Sequence, residues 1–197
     1  PDAELERLEP KRNPKIVLPR EIFGEQRRNS AGIDLSDPLV REPLLDRLKS
    51  LEARSWTAKP SLGKGEDRPV VSPHDHRINV GTTFEATAAE VDRMVRAAHA
   101  AQPSWDALGG EARARLLQRT ADLYEEHREL FFSLCIREAG KTLIDAVLEV
   151  REAVDFLRFY ASEARRQFTR PLPLPGPTGE QNEMRLHGRG VLRSICP

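Results

Sequence analysis

The sequence has no excess of charge of either sign, since 31 lysines and arginines balance 31 aspartates and glutamates in 197 residues. A balanced charge gives no net field that would attract nucleic acid or a membrane surface, so composition favours neither partner. No apolar run approaches the roughly 20 residues that a membrane-spanning helix needs. We therefore expect a soluble protein, with no nucleic-acid partner for this segment and no membrane span.

Cysteines and apolar residues are also scarce. The two cysteines, Cys135 and Cys196, lie in apolar contexts without CxxC spacing, and no secretory signal opens the chain. This pattern favours reduced thiols and a cytoplasmic location over a disulfide. With 39% hydrophobic residues and 31% charged residues, the chain is polar for a self-contained domain. We therefore expect a part that is missing or flexible.

The longest periodic segment runs over residues 137–160 and predicts the end of one helix, a turn and a long second helix. Gly140 is placed to end the first helix, and Thr142 to cap the second. Apolar residues then recur at helical spacing on one face, which must be buried. This row comprises Leu143, Val147, Val150, Val154, Leu157 and Ala161. A second row would widen the buried face to more than half of the helix girth: Ala146, Ala153, Phe156 and Tyr160.

The first third of the chain shows weaker patterns. Residues 1–26 are charged and punctuated by prolines, which predicts an extended connector, and residues 21–35 predict a docked loop. Residues 37–55 predict an amphipathic helix capped by Ser36, and residues 56–67 predict another loop.

The next pattern changes from helical to strand periodicity. Alternating apolar and polar residues over 68–85, interrupted by SPHDH, predict a β-hairpin. The cluster at residues 74–76, His-Asp-His, could be a metal site but lacks further ligands, so we interpret it as a turn with no metal.

Helices then dominate the middle of the chain. Thr87 and Glu90 have capping-box spacing, and the helix that they start is predicted to end at Gln102-Pro103. Its predicted buried residues are Val91, Met94, Val95, Ala98 and Ala101. Two further helices are predicted over 111–127, with Leu116, Leu117, Ala121 and Tyr124 facing inward, and over 129–139.

The last part predicts a loop and two strands. The proline-rich residues 168–179 predict a loop, because proline disfavours both helix and strand interiors. Residues 183–187 and 190–196 alternate well enough to predict two strands. The chain ends directly after an apolar strand, which we interpret as truncation.

The residues alone carry little chemistry. Gly140-Lys141-Thr142 suggests a phosphate-binding loop, but Cys135 stands where that loop needs another glycine. Cys135 is a weak candidate nucleophile, because burial in a helix disfavours its thiolate. An acidic row on the long helix comprises Asp145, Glu149, Glu152 and Asp155. Its simplest interpretation is a solvated face that pairs with Arg151 and Arg158.

Several motifs together resemble one enzyme superfamily. The run from RPVVSPHDH to REAGKT, residues 68–142, resembles the amino-terminal part of an aldehyde dehydrogenase, and GRGVLRSICP, residues 188–197, resembles the strand that leads into the family's PWNFP segment. The runs EVREAVDFLRFYA, residues 149–161, and IFGEQRRNSAGIDL, residues 22–35, resemble the proline utilisation A branch. That branch joins a proline dehydrogenase barrel to a glutamate-semialdehyde dehydrogenase.

The resemblance implies the fold class and the activity. We expect an α/β fold, the amino-terminal part of an aldehyde dehydrogenase, with a hairpin, a helical layer and the start of a Rossmann-like NAD-binding domain. Residues 1–55 would be a linker and docking segment after a proline dehydrogenase domain, and residues 56–197 an incomplete aldehyde dehydrogenase domain. The activity implied is NAD-dependent oxidation of L-glutamate γ-semialdehyde to glutamate, in a homo-oligomer. FAD would bind only in the upstream domain.

The resemblance also implies where the site residues lie. The family's catalytic cysteine and glutamate follow the PWNFP segment, so we expect no catalytic residue in this chain and no activity from it alone. Ile195, Cys196 and Pro197 would lie beside the dinucleotide. Glu152 would contact the ammonium group of the substrate, while Glu149 and Asp155 stay solvated. The alternative is a non-catalytic helical interaction module derived from the same fold.

Overall fold

The structure, a computed structural model, describes residues 13–194 and contains five helices and five strands in that range. A short 3₁₀ turn at Pro19–Glu21 precedes them. In chain order the elements are α1 (Pro38–Ser50), β1 (Trp56–Ala58), β2 (Glu66–Val71), β3 (Asn79–Glu85), α2 (Ala88–Ala107), α3 (Gly109–Glu126), α4 (Arg128–Ala139), α5 (Leu143–Phe168), β4 (Leu172–Leu174) and β5 (Asn182–Met184). No helix in the described range is both long and apolar enough to cross a membrane.

The predicted hairpin is confirmed as the antiparallel pair β2–β3, but it belongs to a three-stranded sheet in the order β1-β3-β2. The predicted loop over 56–67 is wrong at its start, because β1 pairs in parallel with β3. A three-residue strand is too short to show a period of two, so its partner defines it. Gly81 allows the approach, since a Cβ there would overlap the Trp56 carbonyl group.

The predicted turn between β2 and β3 is confirmed, and both a backbone hydrogen bond and its own side chains hold it. The Ser72 amide donates to the Ile78 carbonyl at 3.0 Å, and Asp75 accepts from the Arg77 amide at 3.0 Å and pairs with its guanidinium. Ser72 Oγ lies 3.0 Å from His74 Nδ1. Within residues 13–194, no three His, Cys, Asp or Glu side chains are grouped so that they could hold a metal ion.

Helices α3, α4 and α5 form the predicted helical layer, and α1 packs against α4. Small residues let α3 and α5 approach closely, because Ala121 on α3 is fully buried and a Cβ at Gly110 of α3 would overlap the Ala164 carbonyl oxygen of α5. Phe132 of α4 fills the space beside them. The core therefore lies between these helices, with Leu44 of α1 at its edge.

The long helix α5 begins as predicted and continues to Phe168. Gly140 ends α4 with φ +66°, and the Asp145 amide donates to Thr142 Oγ1 at 3.2 Å. The main apolar row is confirmed: Val147, Val150, Val154 and Ala161 are buried, and Leu143 and Leu157 are half-buried. The widened face is only partly confirmed: Ala146 is buried and Ala153 half-buried, but Phe156 is 50% exposed and Tyr160 is 56% exposed. Periodicity identifies an apolar face but cannot supply the element that would cover it.

Two helix predictions need correction at their ends. Asp37, not Ser36, caps α1, because its carboxylate accepts from the Leu39 amide at 2.9 Å, whereas Ser36 Oγ donates to Asp34. Helix α2 does not end at Pro103 but continues to Ala107. The fixed φ of proline is compatible with a helix, and the interruption costs it one hydrogen bond.

The predicted inward faces of α2 and α3 are also partly wrong. Only Glu90 is buried on α2, and Val95 is exposed. On α3, Leu116 is exposed, while Ala114 and Ala121 make the contact with α5. A smooth face of alanines allows closer packing of two helices than leucines would, so the smaller residues face inward.

The carboxyl-terminal predictions hold only in part. The predicted proline-rich loop contains β4, which pairs with β5, and β5 is shorter than the predicted strand over 183–187. The described residues 190–194 form no strand. A strand needs a neighbour for its backbone groups, and no described segment pairs with these residues.

Candidate functional site

An open groove of about 640 Å³ follows the outer side of α5. Its lining combines two arginines, two carboxylates and three apolar side chains. These are Arg27, Leu148, Arg151, Glu152, Asp155, Phe156 and Phe159. Residues of α5 spaced by three and four lie on one helical face, which explains why 148, 152, 155, 156 and 159 meet there. The groove contains Glu152, the predicted substrate-binding residue.

Glu152 is the carboxylate of this groove that has no partner among the described residues. It is exposed, and within the described residues it has no hydrogen bond or ion pair. Its two acidic neighbours on the same face are occupied: Glu149 pairs with Lys141 at 2.8 Å, and Asp155 accepts two hydrogen bonds from Ser30. Glu152 is thus free to accept a cationic group from outside the described chain.

The expected solvated face is confirmed for Glu149 but wrong for Asp155. Asp155 is half-buried, and its carboxylate accepts from the Ser30 amide at 2.6 Å and from Ser30 Oγ at 2.8 Å. Arg158 does not pair with the acidic row either. It is buried at 8% exposure and pairs across the helix interface with Asp122 at 3.1 Å and Glu125 at 2.7 Å.

The docked loop 21–35 is confirmed, and it forms one side of the groove. Ser30 is 2% exposed, and the Ala31 amide donates to Glu125 at 2.7 Å. Arg158 donates to the Asn29 carbonyl at 3.2 Å. Burial would raise the pKa of Glu125, but hydrogen bonds from Arg158 and from the Ala31 amide outweigh it and hold that pKa below its usual value.

The cationic wall of the groove comes from two elements. Arg27, from the docked loop, lies 3.6 Å from the centre of the Phe23 ring and 5.6 Å from that of Phe159. Arg151, from α5, donates through Nε to Ser30 Oγ at 3.3 Å. The groove therefore presents both charges and an aromatic surface to a ligand.

Cys135 does not contribute to this groove. It is a free, half-buried thiol on α4, and burial, with a smaller effect from Glu149, raises its pKa. The physical setting therefore disfavours its thiolate, as the sequence predicts. Gly140 and Lys141 form a helix end, with the Lys141 amide donating to the Cys135 carbonyl at 3.1 Å.

A second cleft, of about 760 Å³, lies between α1, the β2–β3 turn and α4. Its lining mixes aliphatic side chains, among them Leu48 and Ile136, with polar and charged ones, among them Lys49 and Glu52. Arg137 at its rim already has backbone partners, since it donates to the Leu51 and Arg54 carbonyls at 3.3 and 2.6 Å. Glu152, the predicted substrate-binding residue, does not line this cleft.

The predicted cofactor residues Ile195, Cys196 and Pro197 lie outside the described residues. Val191 and Leu192, shortly before them, are exposed. Sequence reasoning missed Arg27, Ser30 and Glu125, whose roles depend on contacts between segments about a hundred residues apart. From the polar turn RRNSAGID, residues 27–34, the sequence predicts only that this loop docks on the rest of the chain.

A known protein family and several known proteins match most of this chain. Residues 60–197 match the aldehyde dehydrogenase family. The bifunctional protein PutA of Salmonella typhimurium is 42% identical over 160 residues, which cover 79% of this chain and 12% of that protein. PutA of Escherichia coli K12 is 39% identical over 170 residues, which cover 84% of this chain and 13% of that protein. The chain spans about an eighth of the length of these curated relatives.

Solved structures agree with the sequence relatives. A mutant of proline utilization A from Bradyrhizobium japonicum superposes with a TM-score of 0.69 at 33% identity, covering 90% of this chain and 15% of that one. The Δ-pyrroline-5-carboxylate dehydrogenase of Mycobacterium tuberculosis gives a TM-score of 0.62 at 31% identity, covering 76% and 29%. The resemblance and the α/β fold class are confirmed, and the chain belongs to the aldehyde dehydrogenase family.

Proposed function

We propose that this chain is part of an NAD-dependent dehydrogenase that oxidises L-glutamate γ-semialdehyde, which is in equilibrium with 1-pyrroline-5-carboxylate, to glutamate in proline catabolism. The names of the relatives support this reaction class, since they include PutA and Δ-pyrroline-5-carboxylate dehydrogenase. The observation that carries the proposal is the uncommitted carboxylate of Glu152 in the groove on α5.

The amino acid end of the substrate matches this groove in charge. Glutamate semialdehyde carries an ammonium group and a carboxylate at the end opposite its aldehyde. An ammonium group that donates to the Glu152 carboxylate forms a charge-assisted hydrogen bond, and such bonds contribute about 1.5 to 3 kcal/mol. Neighbouring Leu148 and Phe156 offer apolar surface for the methylene groups. A plain aldehyde would gain only the apolar contact.

The aldehyde chemistry itself is assigned by family resemblance. In the family a cysteine thiolate adds to the aldehyde carbon, hydride leaves that carbon, and a glutamate activates the water that hydrolyses the resulting thioester. NAD, when bound, accepts the hydride. The resemblance implies that both catalytic residues follow the PWNFP segment, so we assign neither of them to the described range; there, burial disfavours the Cys135 thiol as a nucleophile. The role that we assign to this chain is to bind and orient the substrate.

The cofactor and assembly assignments remain predictions. We propose that Ile195, Cys196 and Pro197 lie beside NAD through their backbone and apolar surface, so Cys196→Ala in the complete enzyme should change KM for NAD only modestly. We also propose the division into a linker over 1–55 and a dehydrogenase segment over 56–197. FAD binding upstream, a homo-oligomer and a cytoplasmic location are further expectations from the resemblance.

The test compares two substrates in the complete enzyme. Glu152→Ala should lower kcat/KM for glutamate semialdehyde by about one to two powers of ten and leave propanal oxidation nearly unchanged. Glu149→Ala is the matched control, because Glu149 is an exposed glutamate one turn away that pairs with Lys141; it should affect neither substrate. Equal losses on both substrates would make Glu152 structural, and no loss on either would remove it from the site.

A further inference from the structure

The docked loop does more than connect segments, because it supplies a wall of the groove on α5. Arg27 lines the groove, and Ser30, three residues later, is buried against the helix. Both residues lie before the region 60–197 that matches the family. This wall is therefore added to the family domain by a preceding segment.

Ser30 stands between two residues of α5 that would otherwise face each other. Arg151 and Asp155 are separated by four positions, a spacing at which opposite charges commonly pair. Within the described residues they form no ion pair. Instead, Ser30 Oγ donates to Asp155 at 2.8 Å and accepts from Arg151 Nε at 3.3 Å, while the Ser30 amide donates to Asp155 at 2.6 Å.

The arrangement fixes both sides of the groove at the turn of α5 that carries Glu152. Asp155, three positions after Glu152, is satisfied by Ser30, so its charge does not compete for a cation in the groove. Arg151 is held by the loop and does not pair with Glu152. A buried serine with both hydrogen-bonding roles filled has one orientation, which makes the wall rigid.

We propose that Arg27 forms a wall of the substrate groove and that Ser30, buried against α5, is the positioning residue that fixes this wall to the helix. The proposal rests on the proposed function of Glu152 and deepens it. Its consequence is selectivity: only a substrate with an amino acid end extends along the groove to the wall, whereas a short aldehyde does not reach it.

The experiment uses the complete enzyme and three variants. Ser30→Ala should raise KM for glutamate semialdehyde about threefold to tenfold, the effect of losing the serine's side-chain hydrogen bonds, with kcat little changed. Kinetics with propanal should change little. Ser36→Ala is the matched control, since Ser36 is a loop serine that bonds the exposed Asp34 instead. Glu152→Gln, measured in parallel, tests the underlying function separately.

The possible outcomes distinguish the proposal about the wall from the proposed function of Glu152. A selective loss with Glu152→Gln but not with Ser30→Ala overturns the wall and keeps the proposed function. Equal changes on both substrates with Ser30→Ala make the serine a stability residue only, which also overturns the wall. The absence of a selective effect with Glu152→Gln overturns the proposed function itself.

A second variant covers the case in which Ser30→Ala fails to fold. Arg27→Met leaves the buried hydrogen bonds in place and removes the cation from the wall. It should raise KM for glutamate semialdehyde and leave propanal unaffected, and unchanged kinetics on both substrates would overturn the proposal. Hydrogen exchange at the Ser30 and Ala31 amides, which donate to Asp155 and Glu125, should accelerate in a folded Ser30→Ala enzyme.

Discussion

The Glu90 side chain accepts hydrogen bonds from the backbone amides of two separate segments. It completes the predicted capping box, since its carboxylate accepts from the Thr87 amide at 2.9 Å. It also accepts from the amides of Lys64 at 2.7 Å and Gly65 at 3.3 Å, which ties the loop before β2 to helix α2. The hydrogen bond from the Thr87 amide, followed by those from Lys64 and Gly65, lowers the pKa of Glu90 to about 2.

We predict that Glu90→Gln destabilises the protein in a pH-dependent way. A carboxylate whose pKa is depressed in the folded state contributes stability above its unfolded pKa of 4.5, and loses that contribution as the pH falls towards about 2. Thermal unfolding should therefore show a clear loss for Glu90→Gln at pH 7 and a smaller one at pH 3. Asp92→Asn, which alters an exposed pair with Arg96, should change little. A loss that does not vary with pH would contradict the account.

Gly140 combines a backbone requirement with a contact. Its φ of +66° disfavours any residue with a Cβ, and a Cβ there would lie 2.9 Å from Cγ of Pro73 in the β2–β3 turn. Gly109 shares the positive φ, at +74°, but has open space around it. Adding a Cβ at Gly109 costs only the strain of a positive φ, whereas adding one at Gly140 also costs steric crowding. Comparing the two substitutions therefore separates these costs.

We predict that Gly109→Ala costs about 1 to 2 kcal/mol of folding free energy through φ alone, and that Gly140→Ala costs more. The additional loss would measure the contact with Pro73. Urea unfolding of the two variants provides the comparison. Equal losses would show that the turn moves away from α4 at no cost.

At the scale of elements, the pairing of α3 with α5 contains a buried arginine. Arg158 follows Val154 by four positions and precedes Ala161 by three, so it falls within the apolar row of α5. That position was a signal in the sequence, because a charged residue on a buried face needs partners. Asp122 and Glu125 of α3 provide them, together with the Asn29 carbonyl.

We predict that Arg158→Met lowers the free energy of unfolding by about 2 to 3 kcal/mol. This is less than the cost of breaking a fully buried pair, because Asp122 is largely exposed and stays hydrated. Arg166→Met, which removes an exposed pair with Glu163 on the same helix, should cost under about 1 kcal/mol. Similar losses for both variants would contradict a special role for the buried arginine.

The sequence predicts those elements best whose signals are local. Helix α5, the hairpin and the Thr87 capping box depend on spacing within a few residues, and all three are confirmed. The strands β1 and β4 were missed, because each has three residues and is defined by a distant or irregular partner. The outer face of α5 was overestimated, since an apolar period does not show whether a covering element is present.

At the scale of the whole molecule, the groove on α5 joins segments that are far apart in sequence. The sequence could nominate Glu152 only by family resemblance, because an acidic residue on a helix is usually a solvated one. Arg27 and Ser30 could not be placed, since their contacts with Phe159 and Asp155 depend on how the loop docks. Ile144 and Leu148 extend an exposed apolar row along the same helix. Leu148 also lines the groove, which therefore offers apolar as well as charged surface.

The central claim is that Glu152 recognises the ammonium group of an amino acid aldehyde. Glutarate semialdehyde provides the sharpest comparison, because it lacks that ammonium group and keeps the chain length and the carboxylate. The decisive measurement is kcat/KM for the two semialdehydes in the complete enzyme, wild type against Glu152→Gln. We predict a loss of about tenfold to a hundredfold on glutamate semialdehyde and less than about twofold on glutarate semialdehyde. An equal loss on both semialdehydes, or no loss on glutamate semialdehyde, would contradict the account.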